Sequence, residues 1–255
     1  MSLSMNRWKG KVAIVTGASA GIGAAIATKL VESGVIVVGL ARGKEKLDEF
    51  AKTLENKNGK FYSFKTDVSK EQDILDAFRW VKESLGPVHI LINNAGLRRK
   101  TNLIDGNTNM WKEIMDTNVL GLCIATREAI KDMRANKVDG HIVHMNSVGG
   151  HKIVKIPYLS VYPASKHAVT ALTETLRQEL NSINSKIKIT SVSPGLVQTE
   201  FRLAAGVLEE RKDNVFENLP SIEAVDVAEA VMYVLSTPPH VQVHELTIKP
   251  VGEHF

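Results

Sequence analysis

The chain has one cysteine, Cys123, among its 255 residues. No intramolecular disulfide can form, so the fold has to rest on packing and hydrogen bonds. That usage suits a reducing compartment. Its neighbours Leu122 and Ile124 point to a buried, inert thiol rather than a nucleophile. Long hydrophobic runs are also missing. No stretch approaches the ~18 apolar residues that a bilayer crossing needs. The segment from Met1 to Lys11 carries Arg7 and Lys9 with no apolar stretch, which argues against a signal peptide or membrane anchor. A cytoplasmic protein with no membrane partner is expected, with residues 1–10 as an N-terminal extension. A strong excess of one charge is absent as well: 32 Lys and Arg against 28 Asp and Glu leave a net charge of +4. The densest basic spot, Arg98-Arg99-Lys100, is too short for a nucleic-acid surface, so no nucleic-acid partner is expected.

What is present fits an ordinary soluble enzyme. Hydrophobic residues make up 44% of the chain and charged residues 24%. Short apolar β-rich runs alternate with amphipathic stretches. Strands are expected at 11–16, 35–40, 61–66, 88–93, 141–146, 187–192 and 241–249. Helices are expected at 22–33, 44–56, 69–85, 108–135, 161–180 and 222–235. Strands alternating with helices of this length imply βαβ units. The predicted fold is α/β: a single Rossmann-like domain over residues 1–255, a doubly wound parallel sheet of about seven strands with helices on both faces. One connection, 196–221, exceeds the usual loop length and reads as a substrate-binding lid.

Between the first strand and first helix lies Thr16-Gly17-Ala18-Ser19-Ala20-Gly21-Ile22-Gly23. Glycines there allow a tight turn and close approach of the backbone to a pyrophosphate, seated on the helix N-terminus where free N–H groups favour anions. The spacing G-x-x-x-G-x-G differs from the common G-x-G-x-x-G, so its position in the first βαβ unit carries much of the weight. Equally informative is a missing acid. Dinucleotide folds that take NAD place a carboxylate about 20 residues further on for the ribose 2′-OH. Val35 to Arg42 holds none, and Arg42 suits a 2′-phosphate. NADP(H) is the expected cofactor.

Tyr162-Pro163-Ala164-Ser165-Lys166 opens a helix, since proline is at home only in a first turn. Tyr162 and Lys166 are then i and i+4 and share a face. A tyrosine has an ordinary pKa of about 10; a nearby ammonium favours the phenolate and fits it to take a proton from an alcohol. Ser147 follows a strand at the carboxyl edge of the sheet, where ligands bind in open α/β folds. Asn93-Asn94-Ala95-Gly96 ends another strand at the same edge. Asn118 falls mid-helix, where asparagine is a poor former, and a local bend or a bound water would account for it.

Taken together in this order and spacing, these motifs resemble the short-chain dehydrogenase/reductase family from about Lys11 to the C-terminus. The segments WKEIMDTNVLG, VYPASKHAVTALTETLRQEL, SVSPG and VLSTPPHVQVHELTIKP are similar to the insect farnesol dehydrogenase-like group, itself similar to the vertebrate dehydrogenase/reductase member 11 enzymes. The resemblance implies a catalytic tetrad of Asn118, Ser147, Tyr162 and Lys166. Tyr162 would be the acid/base and Ser147 would position the substrate oxygen. Lys166 would bind the nicotinamide ribose and lower the tyrosine pKa, and Asn118 would hold a relay water. Cofactor contacts would come from Gly17, Ser19, Gly21, Ile22 and Gly23, from Arg42, from Asp67 and Val68, from Asn94, Ala95 and Gly96, from Tyr162 and Lys166, and from Pro194, Gly195, Val197 and Thr199. No metal is implied. Two departures are Asn146, where many relatives carry a second serine, and Ala20, where some NADP(H)-dependent relatives carry a basic residue. A homodimer or homotetramer built through the helices 108–135 and 161–180 is expected.

Three segments should surround the open face of the site: 97–103, 148–159 and 196–219. The last two are rich in apolar residues, with Lys152, Lys155 and Arg202 as the basic exceptions within the apolar runs, so no clamp for a phosphate or carboxylate is evident. The expected function is interconversion of a lipophilic alcohol and its carbonyl, a farnesol-like terpenoid first and a ketosteroid or ecdysteroid second. A catalytically idle NADPH-binding protein is the competing reading, against which the full tetrad argues.

Overall fold

The computed structural model describes residues 3–201 and 219–253. The first half repeats one unit. β1 (Val12–Thr16) leads into α1 (Gly21–Glu32), β2 (Ile36–Ala41) into α2 (Lys44–Thr53), and β3 (Lys60–Lys65) into α3 (Glu71–Ser84). β4 (Val88–Asn93) leads into α4 (Thr108–Met115) and α5 (Leu122–Ala135), and β5 (His141–Met145) into α6 (Tyr162–Ser182). β6 (Lys188–Pro194) is followed by short strands β7 (Val197–Gln198) and β8 (Ile222–Glu223), then α7 (Ala224–Ser236) and β9 (Glu245–Ile248). Seven strands form one sheet in the order β3-β2-β1-β4-β5-β6-β9, every pairing parallel. The doubly wound parallel sheet expected from the alternating pattern is the fold observed.

Side-chain alternation along the buried strands divides the core in two. Ala13 and Val15 of β1 face a cluster with Ile26 and Leu30 of α1 and Val231 and Leu235 of α7. Val12 and Ile14 face the opposite cluster, with Ile74 of α3, Ala129 of α5 and Leu176 of α6. Trp8, within the expected N-terminal extension, is buried and its Nε1 donates to Leu235 O at 2.8 Å.

Two elements differ from expectation. The helix expected over 108–135 is interrupted by a π-helical segment, Asp116–Gly121, that contains Asn118. A wider turn of this kind often marks a functional site. The last strand is Glu245–Ile248 rather than 241–249. Before it, the carbonyls of Val241 and Val243 accept from Lys188 Nζ (2.9 Å) and Thr190 Oγ1 (2.7 Å). Side chains of β6 thus take acceptors that a longer ladder would use.

Between β4, β5, α5 and α6 lies a buried polar chain. Asn93 Nδ2 donates to Thr126 Oγ1 (2.8 Å), which lies 3.2 Å from His144 Nε2; His144 Nδ1 lies 2.9 Å from Thr173 Oγ1. Thr173 already donates to Val169 O, so it accepts from His144, and the imidazole is the neutral Nδ1–H tautomer. Burial, with the nearby Lys166 charge, brings His144 down to about 3, and burial with the Lys188 and Arg7 charges holds His141 well below its ordinary value.

Both histidines bind a proton more readily once unfolded. Their stabilising contribution is therefore complete above pH ~6.5 and falls away as the pH drops towards the folded-state values. For His144 the loss should reach about 2 kcal/mol at pH 5. Urea unfolding at pH 7.5 and pH 5 should show a smaller acid-induced drop for His144→Gln than for wild type. An equal drop in both proteins would show that His144 is not held neutral.

Candidate active site

Neighbouring β1 and β4 mark the point where strand order reverses, and chains leaving their carboxyl ends diverge to open a crevice. One side chain bridges the gap. Thr16 Oγ1 accepts from the backbone N–H of Asn94 (3.0 Å) and of Ala95 (2.9 Å) and donates to Ile92 O (3.3 Å). In return Asn94 Nδ2 donates to the carbonyls of Thr16 (2.9 Å) and Gly17 (3.2 Å). The turn is held so tightly that its glycines have little alternative. Gly17 has φ +67°, and a Cβ on Gly23 would lie 2.2 Å from Gly17 O and 2.4 Å from Asn94 Nδ2. α1 then begins at Gly21 with no side-chain cap and no acid in its first turn, leaving its N–H groups for an anion. This cradle fits the pyrophosphate of a dinucleotide.

The four residues expected at the reacting end converge. Asn118 Oδ1 accepts from Leu97 N (2.8 Å), and its Nδ2 donates to Leu97 O (2.9 Å) and to Ser165 Oγ (3.1 Å). Ser165 donates onward to Tyr162 O (2.7 Å), which ties the π turn to the start of α6. A Cβ on Gly96 would lie 3.5 Å from Asn118 Oδ1 and 3.9 Å from Lys166 Nζ. Lys166 Nζ donates to Met145 O at 2.8 Å and stands 6.0 Å from the centre of the Tyr162 ring. Ser147 accepts from Gly149 N (3.1 Å) and lines the same cavity as Tyr162, where its hydroxyl acts to lower the Tyr162 phenol.

Burial pushes the Tyr162 phenol up, against the Ser147 hydrogen bond and the Arg98 charge, which pull it down. Its side chain is half-buried. Burial also brings Lys166 down to about 8, within reach of neutral pH.

A cavity of about 400 Å³ joins cradle and reacting end. Gly17, Ser19, Gly21, Ile22, Asn94, Ala95 and Gly96 line it on one side, and Ser147, Tyr162, Lys166, Pro194, Gly195, Val197 and Thr199 on the other. Gly23 packs beneath the turn. Asn118 is buried behind the wall. Val68 meets the π turn, where a Cβ on Gly121 would lie 2.3 Å from Val68 O. Arg42 is exposed after β2. Its charge acts on Asp67, whose carboxyl is raised by burial but lies below its ordinary value through bonds from Ser69 and the Arg42 and Lys70 charges. β7 and β8 pair in parallel, Val197 with Ile222, so the two ends of the expected lid are joined. Its middle, 202–218, including Arg202, lies outside the described residues.

Three residues that the motifs do not single out prove central. Thr16 is the bridge and Ser165 the link to Asn118. Arg98 belongs to a run that reads as surface charge, yet it is buried and lines the cavity. Its place two residues after Asn93-Asn94-Ala95-Gly96, at the carboxyl edge of the sheet, is the signal that could have found it.

Residues 11–206 match the short chain dehydrogenase family. The chain belongs to the short-chain dehydrogenase family. It is 51% identical over 253 residues to a farnesol dehydrogenase of Aedes aegypti, covering 98% of this chain and 100% of that one. It is 45% identical to dehydrogenase/reductase SDR family member 11 of Bos taurus, covering 98% and 99%. Among solved structures it is similar to an alcohol dehydrogenase of Thermococcus sibiricus complexed with 5-hydroxy-NADP (TM-score 0.84, 27% identity, 96% and 98% covered). It is also similar to a serine dehydrogenase complexed with NADP+ (TM-score 0.86, 28% identity, 96% of each chain covered). This short-chain dehydrogenase therefore shares its fold with these oxidoreductases.

The glycines of the cradle are not equivalent. Gly23→Ala should abolish dinucleotide binding or folding, because the added Cβ has no room against Gly17 O. Gly96→Ala, with nothing nearer than 3.5 Å, should fold with wild-type stability. Thermal unfolding and quenching of protein fluorescence by NADPH measure both; a Gly23→Ala protein that binds NADPH normally would contradict the cradle.

Proposed function

We propose that this protein is an NADP(H)-dependent alcohol dehydrogenase/carbonyl reductase in which Tyr162 is the catalytic acid/base. The observation that carries this reading is that Tyr162, Ser147 and Lys166 line one cavity together with the glycine cradle. When bound, the nicotinamide dinucleotide supplies or takes up the hydride. In oxidation, the Tyr162 phenolate accepts the hydroxyl proton of the alcohol as the carbonyl forms; in reduction, the phenol returns a proton to the carbonyl oxygen. Ser147 holds that oxygen and hydrogen-bonds the phenolate. Lys166, depressed to about 8, exchanges protons, and Asn118 behind it would hold the water that links Lys166 to solvent.

Preference for NADP(H) over NAD(H) follows from Arg42 at the end of β2, where no carboxylate stands to repel a 2′-phosphate. Asp67 and Val68 would sit on the adenine side. The apolar wall formed by Val148, Val154, Ile156, Leu159 and Phe201 favours a lipophilic substrate, each buried CH₂ contributing about 0.8 kcal/mol. Together with the 51% identity to a farnesol dehydrogenase, this favours a farnesol-like terpenoid alcohol, with ketosteroids as the alternative. A homodimer or tetramer through the segments 108–135 and 161–180, in the cytoplasm, completes the proposal.

The test is an absorbance assay of NADP+ reduction with primary alcohols from short chains to farnesol. Efficiency should rise with chain length, NADP+ should outperform NAD+, and Tyr162→Phe should lose at least about 100-fold in turnover while still binding NADPH. A Tyr162→Phe protein of near wild-type activity would remove the assignment of Tyr162; a falling chain-length series would remove the terpenoid.

A further inference from the structure

Arg98 is 8% exposed and forms part of the cavity wall beside Tyr162 and Ser147. Its Nε is buried without a hydrogen-bond partner, and among the described residues no carboxylate pairs with its guanidinium. Its neighbour Arg99, by contrast, is held by Glu113 at 2.6 Å. A guanidinium withdrawn from water with nothing to neutralise it is costly. The backbone fixes it there: both polar groups of Leu97, the preceding residue, are bound by Asn118. Burial pulls the Arg98 guanidinium below its ordinary value and Tyr162 pulls it back up, so the two side chains share one end of the cavity.

We propose that Arg98 is a substrate-recognition residue, and that this cavity takes carbonyl compounds bearing a second acceptor oxygen, carboxylate or carbonyl, on a carbon close to the reacting one. The inference rests on the dehydrogenase reading of the same site. Ser147 and Tyr162 hold the reacting oxygen. The planar fork of Arg98 then meets the second oxygen, a geometry suited to paired acceptors. The apolar body of the substrate lies on Val148, Val154, Leu159 and Phe201. Substrates that are lipophilic along their length and doubly oxygenated at the reacting end are accordingly preferred over the singly oxygenated alcohols and ketones that the same cavity takes. An arginine serving only to pull down Tyr162 would act alike on every substrate, and that difference makes the proposal testable.

The experiment compares NADPH-dependent reduction of 2-octanone, 2,3-octanedione and 3-oxooctanoate by wild type, Arg98→Met and Arg98→Lys. Wild type should favour at least one doubly oxygenated substrate over 2-octanone by about tenfold or more in kcat/KM, as a charge-assisted hydrogen bond allows. The favoured one, oxo acid or diketone, identifies the acceptor as carboxylate or carbonyl. Arg98→Met should collapse the ratio towards unity, chiefly through KM, and Arg98→Lys should restore some of it. Equal efficiencies in wild type, or a ratio unchanged in Arg98→Met while every substrate slows alike, would overturn the proposal. A readout independent of turnover is calorimetric binding of octanoate and 1-octanol to the NADPH-loaded protein, in which neither can react. Octanoate should bind more tightly, and Arg98→Met should abolish that margin. Arg98-dependent octanoate binding without any ketone turnover would remove the dehydrogenase reading and keep the subsite. Turnover with no Arg98-dependent preference in rate or binding would do the reverse.

Discussion

The hydroxyl of Thr16 holds the crevice together. It is buried and uses its full capacity, accepting twice from the backbone after β4 and donating once to Ile92 O. Without it the backbone N–H of Ala95 at the switch point would lack a partner, at a cost of roughly 1–3 kcal/mol, while Asn94 N would keep only its bond to Ile92 O. Because Asn94 answers by binding the Thr16 and Gly17 carbonyls, the glycine turn and the strand end of β4 move as one piece. The shape of the cradle and the path of residues 95–98 along the cavity are thus set by the same few contacts.

From that strand end a second set of contacts builds the reacting end. A mid-helix asparagine is normally a liability, but the π segment turns Asn118 inward, where its amide binds Leu97 in both directions and reaches Ser165. One residue therefore orients the loop carrying Arg98 and the first turn of the helix carrying Tyr162 and Lys166. Deeper in the core the His144 chain has the same role, joining β4, β5, α5 and α6 with neutral groups. Cys123, half-buried in α5, has its thiol pushed up by burial and takes no role in this chemistry.

Much of this is legible in the sequence because local rules dominate there. Strands buried on both faces read as apolar runs, Pro163 marks the first turn of α6, and Gly17 and Gly23 sit where only glycine fits. What escapes a sequence reading depends on long-range partners. Asn93 and Thr126 are 33 residues apart along the chain yet bonded, and the motif that places Asn93 at the end of β4 does not reveal that partner. The shortened β9 reflects Lys188 and Thr190 reaching across to its carbonyls, a competition invisible in a hydrophobic pattern. Arg98 is hidden for the opposite reason: its segment reads as one that surrounds the site, but beside Arg99 and Lys100 nothing local marks it as the buried member of the run.

The ionisation of Tyr162 reports most directly on whether these elements act together. Burial raises the phenol, and Ser147 and Arg98 oppose that rise; an oxidised dinucleotide in the cradle adds a further positive charge and should lower it. Tyrosinate absorbance, taken as the difference between wild type and Tyr162→Phe, gives the titration of this residue alone. In the free protein the difference should titrate above the ordinary value of about 10, and with NADP+ bound it should fall by about one unit or more. A difference titration that does not move when NADP+ binds would contradict Tyr162 as the acid/base of this site.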